Sequence, residues 1–273
     1  MQLDDRQRAM LEEMGIRLAW LPRAGTPAVE APAPVSAPAP AARAAAQPAP
    51  PPAVPRVVVP RAAAEPVVAR MAPTAAPGHR PEGIATMDWP SLAQAVAGCQ
   101  ACGLCASRRS TVFGVGPLDA RWMVVGEAPG EQEDLQGEPF VGQAGRLLDN
   151  MLAALGLDRQ RSVYIANVLK CRPPGNRNPE PQEVAQCEPY LRRQVDLLRP
   201  RIILAMGRFA VQSLLQTTEP IGRLRGRVHH YQGVPVVVTY HPAYLLRNLP
   251  DKAKAWADLC LARSVHDAEA PPG

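Results

Sequence analysis

Short continuous runs of apolar residues alternate with amphipathic stretches through the last two-thirds of the chain. Trp122-Met123-Val124-Val125, Val163 to Val168 (VYIANV), Ile202 to Met206 (IILAM) and Val234 to Thr239 have strand length. Unbroken apolar runs of this kind suit strands covered on both faces. Between them, Asp88 to Val96, Ala144 to Leu155, Pro181 to Leu198 and Gly207 to Leu215 read as helices, and a last helix is expected from Asp251 to about Val265. Leu147, Leu148, Met151, Leu152 and Leu155 mark the apolar face of the second of these. A hairpin-like Arg225 to Tyr231 leads through Gly233 into the fourth strand. Helices alternating with buried strands predict an α/β fold, with a mostly parallel four-stranded sheet between two helical layers.

In a parallel sheet the carboxyl ends of the strands share one edge, where open α/β folds place their active sites. That edge collects Glu127 after strand one, Asn167 at the end of strand two, Gly207 after strand three and His241 after strand four. The connection after strand one, GEAPGEQEDLQGEPFVGQAGRLL, packs Glu127, Glu131, Glu133, Asp134 and Phe140 into one glycine-punctuated loop. So many carboxylates ordinarily make a solvated turn. The length of this loop, its Gly-Pro shape and its one large ring argue for a functional one. Likewise, an isolated Asn in a strand or His before a proline is ordinarily structural. Their joint position on one edge makes them site candidates.

Upstream the pattern is different. Leu3 to Leu18 reads as an amphipathic helix with Trp20 just after it, followed by an Ala-, Pro- and Val-rich stretch from Ala24 to Ile84. Such a composition buries too little to fold and makes an extended linker. The expected organisation is a docking helix at 1–23, a linker at 24–84, a compact domain at 85–267 and a polar tail at 268–273. A helix isolated beyond such a linker is marginal alone, so it reads as a peptide that folds on a partner.

Composition narrows the class further. Aromatic residues make up 4% of the chain and there are 32 prolines, so much of its length is not core. A net charge of +5 and a pI near 9.1 lean mildly toward polyanionic partners. No apolar run is long enough to span a bilayer, and the N-terminus lacks a signal-peptide pattern. A cytoplasmic protein is expected, with its six cysteines reduced or bound to metal rather than paired. Cys99 and Cys102 form a C-x2-C pair, whereas Cys171 and Cys187 are spread apart. Four thiolates suit tetrahedral zinc or an iron–sulfur cluster, and the open second pair favours the cluster. Cys105 is a fifth candidate, and Cys260 falls in an apolar helical pattern as a core residue. Arg172, Asn176, Arg177 and Asn178, set between prolines, would make a basic surface for phosphates.

GEAPGEQED followed by GEPFVGQAG, then VYIANVLKCRPPGNRNP, and finally HPAYLLR, resemble the family 4 uracil-DNA glycosylases, the iron–sulfur-containing bacterial and archaeal branch. The resemblance runs from about Cys99 to the closing helix and does not cover residues 1–84. A sister branch that bonds covalently to uracil-DNA carries a histidine after the third cysteine; RPPGNRNP has none. The resemblance implies a three-layer glycosylase fold and a hydrolase that cuts the N-glycosidic bond of uracil, leaving an abasic site for base excision repair. It implies that Phe140 stacks on the flipped uracil, that Asn167 reads its pairing edge and that His241 hydrogen-bonds O2. Gly126 and Ala128 accompany them in the substrate pocket, with Glu127 and Glu133 as carboxylates whose roles stay undivided. Arg172, Arg177, Leu245 and Arg247 would meet DNA, with Leu245, Leu246 or Arg247 filling the gap left by the base. Cys99, Cys102, Cys171 and Cys187 would hold a [4Fe-4S] cluster.

The implied protein is a monomer acting on uracil-containing DNA near the nucleoid. The alternative is an iron–sulfur accessory module of the replication machinery without glycosylase activity; a zinc-bound adaptor is a third reading. Residues 4 to 22, DDRQRAMLEEMGIRLAWLP, resemble the N-terminal peptide of the psi subunit of the bacterial clamp loader, which implies a replication protein as partner of the docking helix.

Overall fold

The computed structural model describes residues 80–268, together with Glu13 and Gly78. The expected docking helix (apart from Glu13), most of the linker and the end of the tail lie outside the described residues. Ile84, the last residue assigned to the linker, is buried against Leu92, Val96 and Tyr190. The packed body therefore reaches back at least to a 3-10 turn at Ile84–Thr86. Among the described residues, no helix is long and apolar enough to cross a membrane.

The first helix, α1 (Trp89–Ala97), starts at Asp88, whose carboxylate accepts the Ser91 amide hydrogen at 3.0 Å, which caps an otherwise unpaired helix terminus. Strands β1 (Trp122–Gly126), β2 (Val163–Asn167) and β3 (Ile202–Met206) are buried along their whole length. They join β5 (Val234–Thr239) in a parallel array, β2-β1-β3-β5. Side chains alternate between the faces of a strand. Val124, Ile165, Leu204 and Val237 therefore point to one layer, and Met123, Tyr164, Ile203 and Val236 to the other. The first layer holds α3 (Gly142–Ala153) and α8 (Lys252–Ala268). The second holds α4 (Pro181–Leu198) and α5 (Arg208–Leu215). Leu148, Met151 and Leu152 of α3 are fully buried, each stabilising the fold by about 1.5–3 kcal/mol relative to exposure.

The sheet has five strands rather than the expected four. Strand β4 (Val228–Tyr231) pairs antiparallel with β5 and forms the edge. Its sequence, VHHY, is alternately exposed and half-buried. It is an edge strand with polar residues, so it shows no continuous apolar run. Two short helices, α6 (Ile221–Leu224) and α7 (Pro242–Leu245), flank the β4–β5 pair. A further short helix, α2 (Glu131–Gln136), lies inside the long loop after β1. Glu131, Glu133 and Asp134 occupy its first turn, where negative charge meets unpaired amides, and Gly137, at φ 77, closes it.

Register aligns the strand ends. Gly126 stands opposite Asn167, Val125 opposite Ala205, and Met206 opposite Thr239. The segments that begin at Glu127, Gly207 and Tyr240 thus leave the sheet at one level.

Candidate active site

A cleft of about 840 Å³ opens at that edge. Glu127, Ala128, Glu133, Phe140, Asn167, Arg177, His241 and Arg247 line it. Gly126 lies beneath: a methyl group there would fall 2.6 Å from Cε2 and Cζ of Phe140 and 2.4 Å from Oδ1 of Asn167. Only a residue without a side chain lets the ring and the amide approach the strand this closely. Asn167 is 2% exposed and Phe140 4%. Phe140 adopts φ 54, a left-handed conformation that costs a bulky residue about 1–3 kcal/mol.

His241 stands at the N-terminus of α7. Its Nδ1 accepts the Ala243 amide hydrogen at 3.1 Å. An accepting Nδ1 leaves the proton of the neutral ring on Nε2. The ring is partly open to the cleft but enclosed by protein, and this desolvation, with the nearby Arg247 charge, lowers its pKa to about 4. His241 is therefore a neutral donor at neutral pH. Its ring lies 5.2 Å from that of Phe140, centroid to centroid, at an interplanar angle of 23°.

The carboxylates separate by role. Glu127 accepts the Phe209 amide hydrogen through Oε1 at 2.9 Å, in the first turn of α5. Burial raises its pKa against the lowering effect of that hydrogen bond and of Arg208. Gly207 makes room for it, since a methyl there would fall 2.5 Å from Oε1. Glu133 accepts the Val141 amide hydrogen at 3.2 Å, beside Phe140. Asp134 is buried and turned away, accepting from the amides of Arg109 and Ser110.

The residues assigned to DNA are differently disposed. Arg247 is exposed at the cleft. Arg177 lines the cleft too, but its guanidinium is spent on Glu183, at 3.0 and 2.5 Å. Arg172 donates to Asn176 at 2.8 Å and lies 3.8 Å from Glu131. Leu245 does not fit the assigned role: it is 0% exposed, packed in the core with Leu147 and Leu148. One turn of helix cannot present two adjacent leucines to the same side, and Leu246, 38% exposed, is the one that faces out.

Cys99, Cys102, Cys171 and Cys187 line one closed recess, which Cys105 also borders. Burial raises the thiol pKa of Cys102, Cys171 and Cys187, the last to about 12. Arg108 donates from Nη1 to Cys171 Sγ at 3.2 Å. Among the described residues, no three Cys, His, Asp or Glu side chains converge closely enough to hold a single metal ion. Cys260 lies apart, in α8.

Residues 113–260 match the uracil DNA glycosylase superfamily. The chain belongs to this superfamily. The type-4 uracil-DNA glycosylase of Archaeoglobus fulgidus is 45% identical over 163 residues, covering 57% of this chain and 81% of that protein. The type-4 enzyme of Thermotoga maritima is 43% identical over 159 residues, 58% of this chain and 82% of its own. That of Pyrobaculum aerophilum is 40% identical over 185 residues, 64% of this chain and 93% of its own.

Several residues of this glycosylase domain escaped sequence reasoning. Lys170 is buried, with Nζ donating to the Asn167 carbonyl at 2.9 Å and to Gln194 Oε1 at 2.6 Å. Gln194 in turn donates to Phe113 and Tyr164. A lysine directly after the apolar Val168-Leu169 was the available signal. Arg208 and Phe209 also line the cleft, the guanidinium 4.5 Å above the ring.

Proposed function

We propose that this chain is a monofunctional DNA-repair glycosylase that flips uracil out of DNA and hydrolyses its N-glycosidic bond. The observation that carries this reading is the meeting of Phe140, Asn167 and a neutral His241 in one cleft of a uracil DNA glycosylase domain. An enzyme acting on a base inside a duplex must extrude it into a pocket that stacks on its face and reads its edge. Phe140 supplies the stacking ring. The Asn167 amide donates to O4 and accepts from N3–H, a pattern that cytosine reverses. His241 donates its Nε2 proton to O2, where negative charge grows as the N1–C1′ bond breaks. Water adds to C1′, leaving an abasic site and free uracil. Because the path is dissociative, the water needs little activation. Glu127 and Glu133 both face the cleft, and the proximity of Glu133 to Phe140 suits a wall against the C5 methyl of thymine.

We infer that Cys99, Cys102, Cys171 and Cys187 hold a [4Fe-4S] cluster. Their common recess, the Arg108 guanidinium that donates to Cys171 Sγ beside it, and the open spacing of Cys171 and Cys187 support this reading over zinc. Bound there, the cluster supplies a cross-link between the segment before β1 and the segments after β2. Arg247 and Leu246 meet the DNA at the cleft mouth. Residues 1–23 tether the enzyme, a monomer, to a clamp-loader protein at the nucleoid.

Release of free base from uracil-containing oligonucleotides by the cluster-loaded protein tests the reading. Uracil release, with none from matched thymine or cytosine oligonucleotides, is expected. The accessory-module alternative predicts DNA binding without release, and the intact Phe140, Asn167 and His241 speak against it.

A further inference from the structure

Phe140 holds a backbone conformation that its own side chain does not favour, and the contacts that keep it there converge on one arginine. Arg159, in the loop between α3 and β2, donates from Nη2 to the Phe140 carbonyl at 2.9 Å. Its Nη1 reaches the Pro139 carbonyl at 3.5 Å. Its Nε donates to Asp149 Oδ1 of α3 at 2.6 Å. From the other side, α3 passes so close that a methyl group at Gly145 would fall 1.8 Å from the Phe140 oxygen. The Arg159 side chain is 18% exposed, although its partner Asp149 is 47% exposed. A long cationic side chain with no task would carry its head into water. This one is drawn in, with its donors divided between two successive carbonyls and a carboxylate.

We propose that Arg159, oriented by Asp149, is a positioning residue for uracil recognition: it locks the 139–140 backbone so that the Phe140 ring lies over Gly126 and beside His241. The proposal rests on Phe140 being the stacking ring. A non-glycine residue at positive φ persists only where its surroundings over-determine it. Without the guanidinium, Phe140 relaxes toward negative φ and its ring turns away from Gly126. A lysine keeps the charge and one hydrogen bond but cannot span both carbonyls and the carboxylate.

The test compares full-length, cluster-loaded wild type with R159M, R159K, D149N, F140A and the F140A/R159M double variant. Single-turnover uracil excision, kcat/KM and melting temperature are measured for each. R159M is expected to lose about 10- to 100-fold in kcat/KM, the scale of a misplaced recognition group. R159K and D149N should fall between R159M and wild type. The decisive comparison is the double variant: with the ring already gone, F140A/R159M should be no slower than F140A. Multiplying losses in the double variant, or a loss in R159M that tracks the melting temperature and recurs equally without the ring, would assign Arg159 a merely structural role. Wild-type excision by R159M overturns the proposal outright, and R159K keeps the test readable if R159M does not fold. Wild-type excision by F140A would instead sink the stacking reading, and this proposal with it.

Discussion

Phe140 and His241 lie ring against ring, 5.2 Å between centroids and 23° from parallel. A base slid between them would need two contacts of about 3.5 Å each, more than the gap provides. Under the proposed function, uracil would stack on the part of the Phe140 face that His241 leaves open, with the His241 edge directed at O2. Ring and donor act as one wall, and a shift in either disturbs the other.

The first consequence concerns pH. The folded pKa of His241, about 4, lies below its ordinary 6.5. The donor form thus persists well below pH 6.5, and the acid limb of kcat/KM should fall near pH 4. The same shift stabilises the fold fully above pH 6.5 and is lost as the pH falls toward 4. A pH–rate profile with an NMR titration of the imidazole checks this; an acid limb near 6.5 that follows the His241 titration would refute it.

Gly126→Ala should cost about 10²-fold in kcat/KM, because the new methyl meets the Phe140 ring at 2.6 Å and Asn167 Oδ1 at 2.4 Å. Steady-state kinetics on a uracil oligonucleotide, with circular dichroism to confirm the fold, is the check. Near-normal rates would mean that the ring and amide tolerate displacement.

Serine at Cys99, Cys102, Cys171 or Cys187 should lower iron content, visible absorbance and solubility, whereas Cys105→Ser and Cys260→Ser should not. Iron analysis of each purified variant decides the ligand set. Full iron in Cys187→Ser would bring in Cys105, which borders the same recess.

The tether is tested by truncation, and the burial of Ile84 sets the limit: the cut belongs before residue 80 rather than after residue 84. Deleting residues 1–77 should leave excision on short oligonucleotides intact while abolishing capture of clamp-loader components. Equal capture with and without the segment, or none by the full chain, would return residues 1–23 to the status of a tail.

The convergence of Glu127, Asn167 and His241 was legible because each follows an unbroken apolar run, and parallel register places such ends on one edge. Strand β4 falls within the stretch read as hairpin-like, but His229 and His230, which an edge strand tolerates, kept it out of the expected four-stranded sheet. Leu245 was misassigned because two adjacent leucines in a one-turn helix carry no periodicity to tell the buried one from the exposed one. Arg159, and the partner of Lys170, were out of reach for another reason. The Phe140 and Asn167 carbonyls are backbone atoms, and a sequence pattern does not mark which carbonyl needs a donor. Asp134 looked like its neighbours, yet its carboxylate is consumed by the amides of Arg109 and Ser110.

The central claim, that a neutral His241 stabilises the leaving base, is tested most directly by single-turnover uracil release from wild type and His241→Ala, with affinity for an uncleavable uracil duplex measured in parallel. Loss of one donor to a developing anion predicts a fall of about 10²–10³ in the rate with DNA affinity essentially unchanged. Undiminished release by His241→Ala, or matching losses in rate and affinity, would contradict it.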